Sequence, residues 1–392
     1  MTEKFRPVRM GMVGGGQGAF IGAVHRMAAA LDGRIELVCG AFSQSHENTM
    51  ATGAALGLDE ERLYASWEDM LEQETARTDE TGMEFVCIVT PNHLHVPIAT
   101  AAINKGFHVM SDKPAALSLD EVNAFANTLQ GTNRLYGLTH TYLGYPMVWE
   151  ARALVAAGQI GDLRRVYVEY PQGWLTQNLE AAGAKQAVWR TDPARAGLAG
   201  CMGDIGTHAH SLVEFIAGSH FAELSSRLRA HIPGRALDDD GEVIFQLENG
   251  ATGVLTASQV CAGEENALKI RLYGEKGGLE WHQMEPNSLI EKRISGPMQI
   301  HRAGTDRPLS DEALARCRLP AGHPEGYIEA FANLYRDFAL AIRAGARHTA
   351  PGVPSITEAI SGMTFLEAVV KSSASNGATI DIDFAQYKEP AR

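Results

Sequence analysis

The feature that most constrains this chain is a cluster of glycines set between a strand pattern and a helix pattern. Residues 9–13 (RMGMV) form a short apolar run, GGGQG follows at 14–18, and a helical stretch begins near Phe20. Such a turn lets the backbone approach a pyrophosphate, and the helix start offers unpaired N–H groups and a positive dipole end. Gly14 and Gly16 fit the first two positions of the G-x-G-x-x-G dinucleotide pattern. The third falls on Ala19, which a looser pattern accepts, or the loop is longer and Gly22 makes the close helix–strand contact.

The rest of the first 140 residues continues the alternation. Ile35–Ala41, Glu84–Thr90, Phe107–Met110 and Leu135–Leu138 are short apolar runs separated by helical segments. Repeated βα units predict a parallel sheet covered on both faces. After about Tyr142 the pattern changes. Val166–Tyr170 alternates apolar and polar residues, Val243–Leu247 and Thr252–Thr256 flank the hairpin signal Asn249-Gly250, and Lys269–Tyr273 precedes the turn GEKGG. The expected fold class is therefore α/β over 1–140, followed by an α+β domain over 141–392 with an open, mainly antiparallel sheet. Phe331, Leu334, Tyr335, Phe338 and Ile342 recur at helical spacing and read as core. Glu285–Pro320 is polar and irregular, and its pattern assigns no element.

Composition removes several function classes. The net charge is -13 with the acids dispersed, and no Lys/Arg tract resembles a nucleic-acid footprint. No run approaches the ~20 apolar residues of a membrane span, so no membrane partner is expected. The opening residues lack an apolar signal core, so secretion is not expected. Five scattered cysteines without a CxxC fit reduced thiols in a cytoplasm rather than disulfides or zinc.

Two positions carry chemistry. MSDKP at 110–114 ends a strand in a Lys-Pro step, which places Lys113 at the carboxyl edge of the sheet, where ligands bind in open α/β folds. Its charge can stabilise a developing alkoxide. Thr90 and Asn92 end the preceding strand and line the same edge. Farther on, DIGTHAHSLVEFIAG reads as one helix, with Asp204 and His208 at i, i+4 on one face and Ile205, Ala209, Leu212, Val213 and Ile216 on another. A carboxylate beside an imidazole gives the oriented general base that alcohol oxidation needs. His208/His210 and His93/His95 stand two apart and diverge, so no metal is expected.

Together these segments resemble the Gfo/Idh/MocA oxidoreductases, the glucose–fructose oxidoreductase and inositol dehydrogenase family. The matching stretches are VGGGQGAFIG, IVTPNHLH, DKP, WRTDPARAGLAGCMGDIGTH and GMTFLEAVVKSS, in the family's order over nearly the whole chain. The resemblance implies an N-terminal Rossmann domain and a second domain whose open sheet often joins copies into a dimer or tetramer. It implies Lys113, Asp204 and His208 as the catalytic set. It implies that Thr90, Asn92 and His95 border the cofactor beside the Asp112–Lys113 step, and that Tyr142, Trp189, Arg190 and His323 line the substrate pocket. Three departures stand out. The family's EKP is DKP here, the glycine loop is longer, and Ser211 replaces the second Asp of the family's DxGxHxxD.

The cofactor is expected to be NAD or NADP. The second strand ends in CGAFSQSHE, where Phe42 or Ser43 occupies the ribose-contacting place and the nearest acid is Glu47. NAD is slightly preferred because no basic residue there awaits a 2′-phosphate. The expected reaction is oxidation of a secondary hydroxyl on a sugar or inositol-like polyol to a ketone or lactone. The alternative is an NAD-dependent glycosidase working by transient oxidation, elimination and re-reduction, which needs the same lysine and histidine plus a further base. Tyr142 is the one candidate for that base.

Overall fold

The computed structural model describes residues 6–77 and 80–383. Residues 1–5, on which part of the reading of the amino terminus rests, and 384–392, the end of the second expected domain, lie outside the described residues. The chain divides into two compact units. One comprises Met1–Ala116, Asp120–Thr139 and Phe331–Ala359; the other comprises Leu117–Leu119, His140–Ala330 and Ile360–Arg392. The break after Thr139 falls beside the expected boundary. Residues 331–359, expected in the second domain, belong to the first unit. The aromatic stripe of the helix Tyr327–Arg343 explains this: Phe338 packs edge-on against Phe85 at 5.5 Å, and Phe331 against His25 at 4.5 Å.

The first unit runs β1 (Val8–Gly14), α1 (Phe20–Ala30), β2 (Ile35–Ala41), α2 (His46–Leu56), α3 (Trp67–Thr75), β3 (Phe85–Val89), α4 (His95–Asn104), β4 (His108–Ser111), α5 (Leu119–Gln130) and β5 (Tyr136–Leu138). The strands are parallel in the order β2-β1-β3-β4-β5. Every residue of β3 is buried, which is why that strand reads as a continuous apolar run rather than an alternation. Strand order reverses between β1 and its neighbours, so the crevice at the carboxyl ends of β1 and β3 is the topological switch point. Ser45 and Ser66 cap α2 and α3 by accepting the backbone N–H groups of Asn48 and Asp69.

The second unit contains α6 (Pro146–Ala156), β6 (Leu163–Pro171), α7 (Lys185–Arg190), α8 (Pro193–Ala196) and α9 (Thr207–Ala217). The strands that follow are β7 (Phe221–Arg229), β8 (Asp240–Leu247), β9 (Thr252–Ser258), β10 (Lys269–Gly274), β11 (Gly277–His282), β12 (Ser288–Arg293), β13 (Gln299–Arg302) and β14 (Ile380–Asp381). Their order is β13-β12-β11-β10-β6-β9-β8-β7-β14, antiparallel except for the parallel pair β6–β9. One face buries Val166, Val168, Val243, Phe245, Ile270 and Leu272, with α9 packed on β6 and β9 and α6 on β11 and β12. The other face points away from them and carries Tyr167 and the 62% exposed Ile244.

The four strands read from the sequence in this unit are present. Strands β7, β11, β12, β13 and β14 were not expected. β12 and β13 occupy the stretch Glu285–Pro320, to which no element was assigned. In SLIEKR burial alternates but one inward position is Glu291, and QIHR buries no side chain, so neither sequence shows the apolar alternation that marks a half-buried strand. Antiparallel backbone ladders to β11 and to each other hold them.

Candidate active site

The glycine loop follows β1. Gly14 has φ +85°, and a Cβ there would lie 2.8 Å from the Val89 carbonyl oxygen. A Cβ on Gly22 would fall within the contact distance of the Gly15 Cα. The close helix–loop approach is therefore made by Gly22, and the longer-loop alternative holds over Ala19. The loop is tied to the second βα unit by four hydrogen bonds. Gly16 N donates to Phe42 O at 3.0 Å, Gln17 N to Thr52 Oγ1 at 3.0 Å, Asn48 Nδ2 to Gln17 O at 3.1 Å, and Gln17 Nε2 to Ala51 O at 3.3 Å. Helix α1 starts after Ala19 with no side-chain cap and no acid in its first turn. Its first N–H groups are thus available to an anion. Thr90 Oγ1, across the switch point, is buried with no hydrogen-bond partner among the described residues. A glycine cradle, an uncapped helix start and an orphaned hydroxyl fit a dinucleotide.

At the end of β2, Ser43 is engaged locally. Its N–H donates to Thr49 Oγ1 at 3.1 Å and its hydroxyl accepts from Ser45 N at 3.2 Å. Ser45, the other hydroxyl in this stretch, caps α2.

Lys113 sits one residue past Asp112, just beyond β4. The Lys113 backbone N–H and the Thr139 hydroxyl both donate to Asp112 Oδ1 at 2.9 Å, and Asp112 N donates to Ile88 O at 2.9 Å. The His95 ring spans the carbonyl oxygens of Thr90, at 2.9 Å, and Pro114, at 2.8 Å, joining the two strand ends that the sequence placed on one edge. Asn92 is buried in the turn between Thr90 and His95. Burial alone would raise the Asp112 carboxyl. His25 outweighs it, with Lys113 and His95 nearby, and holds the group well below the usual carboxylate range.

In the second unit the segment expected as one helix is not uniform. Met202–Gly206 forms a π-helical turn, and the α-helix begins at Thr207. Such turns occur often at functional sites. Asp204 lies in this turn and is not an N-cap. Its Oδ2 accepts from Gln259 Nε2 at 2.9 Å and pairs with Arg190 Nε at 3.4 Å. Arg190 is stacked over Trp189 at 4.2 Å and donates to Gln186 Oε1 at 2.5 Å. The carboxylate expected to orient His208 by spacing is thus itself held by two residues from other elements. His208 is buried edge-on to Tyr142 at 4.8 Å, with His140 Nδ1 3.4 Å from its own Nδ1. Ile205, Ala209, Leu212, Val213 and Ile216 are buried, as their shared face predicted. His210 diverges from His208 and stacks on Phe365 at 4.4 Å. No cluster of metal-ligating side chains occurs among the described residues.

Around His208 the second unit joins Tyr142, which sequence reasoning named, to Tyr170, Asn266, Gln172 and Gln259, to which it gave no role. Tyr142 and Tyr170 share a short hydroxyl–hydroxyl hydrogen bond. Tyr170 donates to Asn266 Oδ1 at 2.6 Å, and Asn266 Nδ2 donates to Tyr142 at 2.9 Å. Gln172 Nε2 donates to the same Asn266 oxygen at 2.7 Å, and Gln259 Nε2 lies 3.4 Å from Gln172 Oε1, which leads back to Asp204. Burial pushes the Tyr142 phenol well above its ordinary value. His323 is on an exposed loop with its ring against the Pro320 carbonyl. Four residues on, Tyr327 is the member of that segment found against Tyr142, at 6.0 Å.

The parallel sheet, its glycine cradle and the lysine turn define an NAD-binding oxidoreductase. The chain belongs to the Gfo/Idh/MocA family. Residues 8–140 match the oxidoreductase family model with an NAD-binding Rossmann fold, and 148–280 match the Gfo/Idh/MocA C-terminal domain. Among solved structures it is similar to an inositol dehydrogenase homolog from Azotobacter vinelandii complexed with NAD+. That likeness has 34% identity and a TM-score of 0.91, covering 96% of this chain and 98% of that one. The same homolog complexed with NADH and myo-inositol gives 33%, 0.88 and the same coverage. An oxidoreductase from Sinorhizobium meliloti is 41% identical, with a TM-score of 0.85 over 96% of this chain and 100% of that one. An uncharacterised oxidoreductase of Bacillus subtilis (strain 168) is 34% identical over 97% of each chain.

Proposed function

We propose that this oxidoreductase takes hydride from the carbon bearing a secondary hydroxyl of a neutral cyclic polyol or sugar, giving the ketone or lactone. NAD, when bound, supplies the hydride acceptor. Gly14, Gly16 and the start of α1 would hold its pyrophosphate, Ser43 the ribose side, and Thr90, Asn92 and His95 the edge near Lys113. His208 removes the hydroxyl proton, and Asp204, held by Gln259 and Arg190, sets its basicity. The Lys113 ammonium stabilises the oxygen as charge develops on it. That Lys113 serves the same hydroxyl as Asp204 and His208 rests on the family resemblance. The myo-inositol complex of the Azotobacter relative favours a polyol.

The observation that carries the reading is the set of neutral hydrogen-bonding groups beside His208: Tyr142, Tyr170, Asn266, Gln172 and Gln259. Hydroxyl donors and acceptors recognise a polyol's hydroxyls, and the cation among them, Arg190, is already paired with Asp204. Net oxidation is favoured over redox-assisted glycoside cleavage. Elimination needs a second base, and the raised Tyr142 phenol is a poor one. Trp189 and Arg190 belong to the reading as its aromatic and cationic rim, and His323 as a residue on a loop that would have to approach. Work in the cytoplasm is supported by five unpaired cysteines. Assembly through the outward sheet face is supported by its exposed Ile244 and Tyr167.

The test is stoichiometry across a panel of inositols, aldoses and glycosides. One NADH per ketone formed is the expected result. Sustained glycoside cleavage at substoichiometric NAD would move the protein to the hydrolytic class.

A further inference from the structure

Beneath the lysine turn lies a buried polar cluster that the reaction above does not use. His25, on α1 three residues past Gly22, is fully buried. Its Nδ1 is 2.6 Å from the Tyr335 hydroxyl and 3.5 Å from the Cys87 sulfur, and that sulfur is 3.0 Å from the same hydroxyl. Its Nε2 is 3.9 Å from Asp112 Oδ2, an ionic separation rather than a hydrogen bond. The other oxygen of Asp112 is the one that receives Lys113 N–H and the Thr139 hydroxyl.

A bare core would place apolar side chains here. Setting a fully buried imidazole against a carboxylate whose side chain is 20% exposed is unfavourable unless each neutralises the other. We propose that His25 is a positioning residue: as an imidazolium it keeps Asp112 ionised, and the ionised Asp112 fixes the turn that carries Lys113. The inference rests on the reading of Lys113 as catalytic. The groups facing the pair are Cys87 of β3, Tyr136 of β5, Tyr335 of the helix Tyr327–Arg343, His95 of α4 and Lys113 itself. Burial opposes charging His25, but Cys87 and Asp112 outweigh it, and its pKa is pushed up to about 9. The cluster also joins the helix that leaves the glycine loop to the turn that presents the lysine.

The experiment has two arms. In the first, ¹⁵N signals of the His25 imidazole are read at pH 7 in the wild-type protein and in Asp112→Asn. The expected result is a doubly protonated ring in the wild type and a neutral one in the variant. A neutral His25 in the wild type overturns the proposal.

In the second, kcat is followed against pH for His25→Gln. A carboxyl that has lost its cation ionises only at higher pH. We expect a loss of roughly 30-fold at pH 7 that recovers towards pH 9. The acid limb should move up by at least one pH unit, with KM for NAD within about threefold. A loss that is equal at every pH is what a merely structural role gives, and it overturns the proposal, as does no loss. Tyr335→Phe removes only the hydroxyl on His25 Nδ1 and should shift the same limb by less, which keeps the test intact if His25→Gln folds poorly. If Lys113→Met stays active, the functional reading fails, while the imidazole signals still report whether His25 and Asp112 are coupled.

Discussion

The two ends of β4 treat a histidine in opposite ways, half-buried at one end and fully buried at the other. At the amino end, His108 Nδ1 accepts the Leu135 backbone N–H at 2.9 Å, a role open only to an unprotonated nitrogen. Burial, with Arg134 and Arg343 nearby, pushes its pKa down to about 4. At the carboxyl end, His25 faces the Asp112 carboxylate and its pKa goes up. Burial favours the neutral ring in both places, so the partner decides. An amide donor fixes the neutral form, and a carboxylate fixes the charged one. At the amino end of β4 the imidazole is held neutral, and at the ligand edge it is held charged. Helix α9 also gives two histidines different partners within one turn. His210 faces Glu214 at 3.4 Å inside the core, while His208 faces the tyrosines.

The sharpest way to break this comparison is at Lys113. Lys113→Met should lower kcat by about 10³-fold, or about 4 kcal/mol, with the unfolding midpoint unchanged. A variant with near-normal kcat would detach the charged edge from the chemistry. Next is His208→Gln, with an expected loss of roughly 300-fold, about 3.4 kcal/mol, and no remaining activity step near neutral pH. An unchanged pH–rate profile in that variant removes His208 as the base.

The amino end predicts a stability effect instead. His108 is protonated in the unfolded chain near its ordinary value of 6.5 but in the folded one only near 4. Its contribution is therefore complete above pH 6.5 and is lost as the pH falls towards 4, by about 3 kcal/mol. His108→Asn, which retains an acceptor, should flatten the fall in urea-determined stability over that window. An equally steep fall contradicts the assignment. The smallest effect is expected at His210→Leu. Glu214 keeps the Ser361 hydroxyl at 2.6 Å, the Phe221 N–H at 3.1 Å and His220 at 3.1 Å, so losing one partner costs about 2 kcal/mol. The folded fraction should turn over within twofold of wild type. A large loss of kcat there would show that the two faces of α9 are not separate.

How legible each region was in the sequence follows from what forms it. The parallel strands bury both faces, so β1, β2 and β3 appear as apolar runs, and the glycine loop announces itself by composition. The lysine turn and Asp204–His208 could be singled out as candidates because a Lys-Pro step closes a strand pattern and the Asp and His stand four apart in a helical one. What stayed hidden is built across elements. Gln259 reaches Asp204 over 55 positions, and Tyr335 reaches His25 over 310. No local period records such pairs. The π turn leaves no mark either, because MGDIG has the spacing of an ordinary helix. β12 and β13 were missed because one buries a glutamate beside its single buried leucine and the other buries nothing, which leaves no apolar alternation.

The ties of the glycine loop bear on cofactor capture. Gly16 and Gln17 are fixed by Phe42, Asn48, Ala51 and Thr52, none of which belongs to the loop itself. The loop thus acquires its shape when the protein folds, through contacts internal to the chain. Immobilising a flexible segment normally opposes association. Here that conformational entropy is surrendered before any dinucleotide arrives, so binding free energy is not consumed in ordering the cradle. Affinity then becomes adjustable from α2, at a distance from the pyrophosphate: loosening Asn48 or Thr52 would let the loop wander and hasten dissociation without removing a single contact to the cofactor.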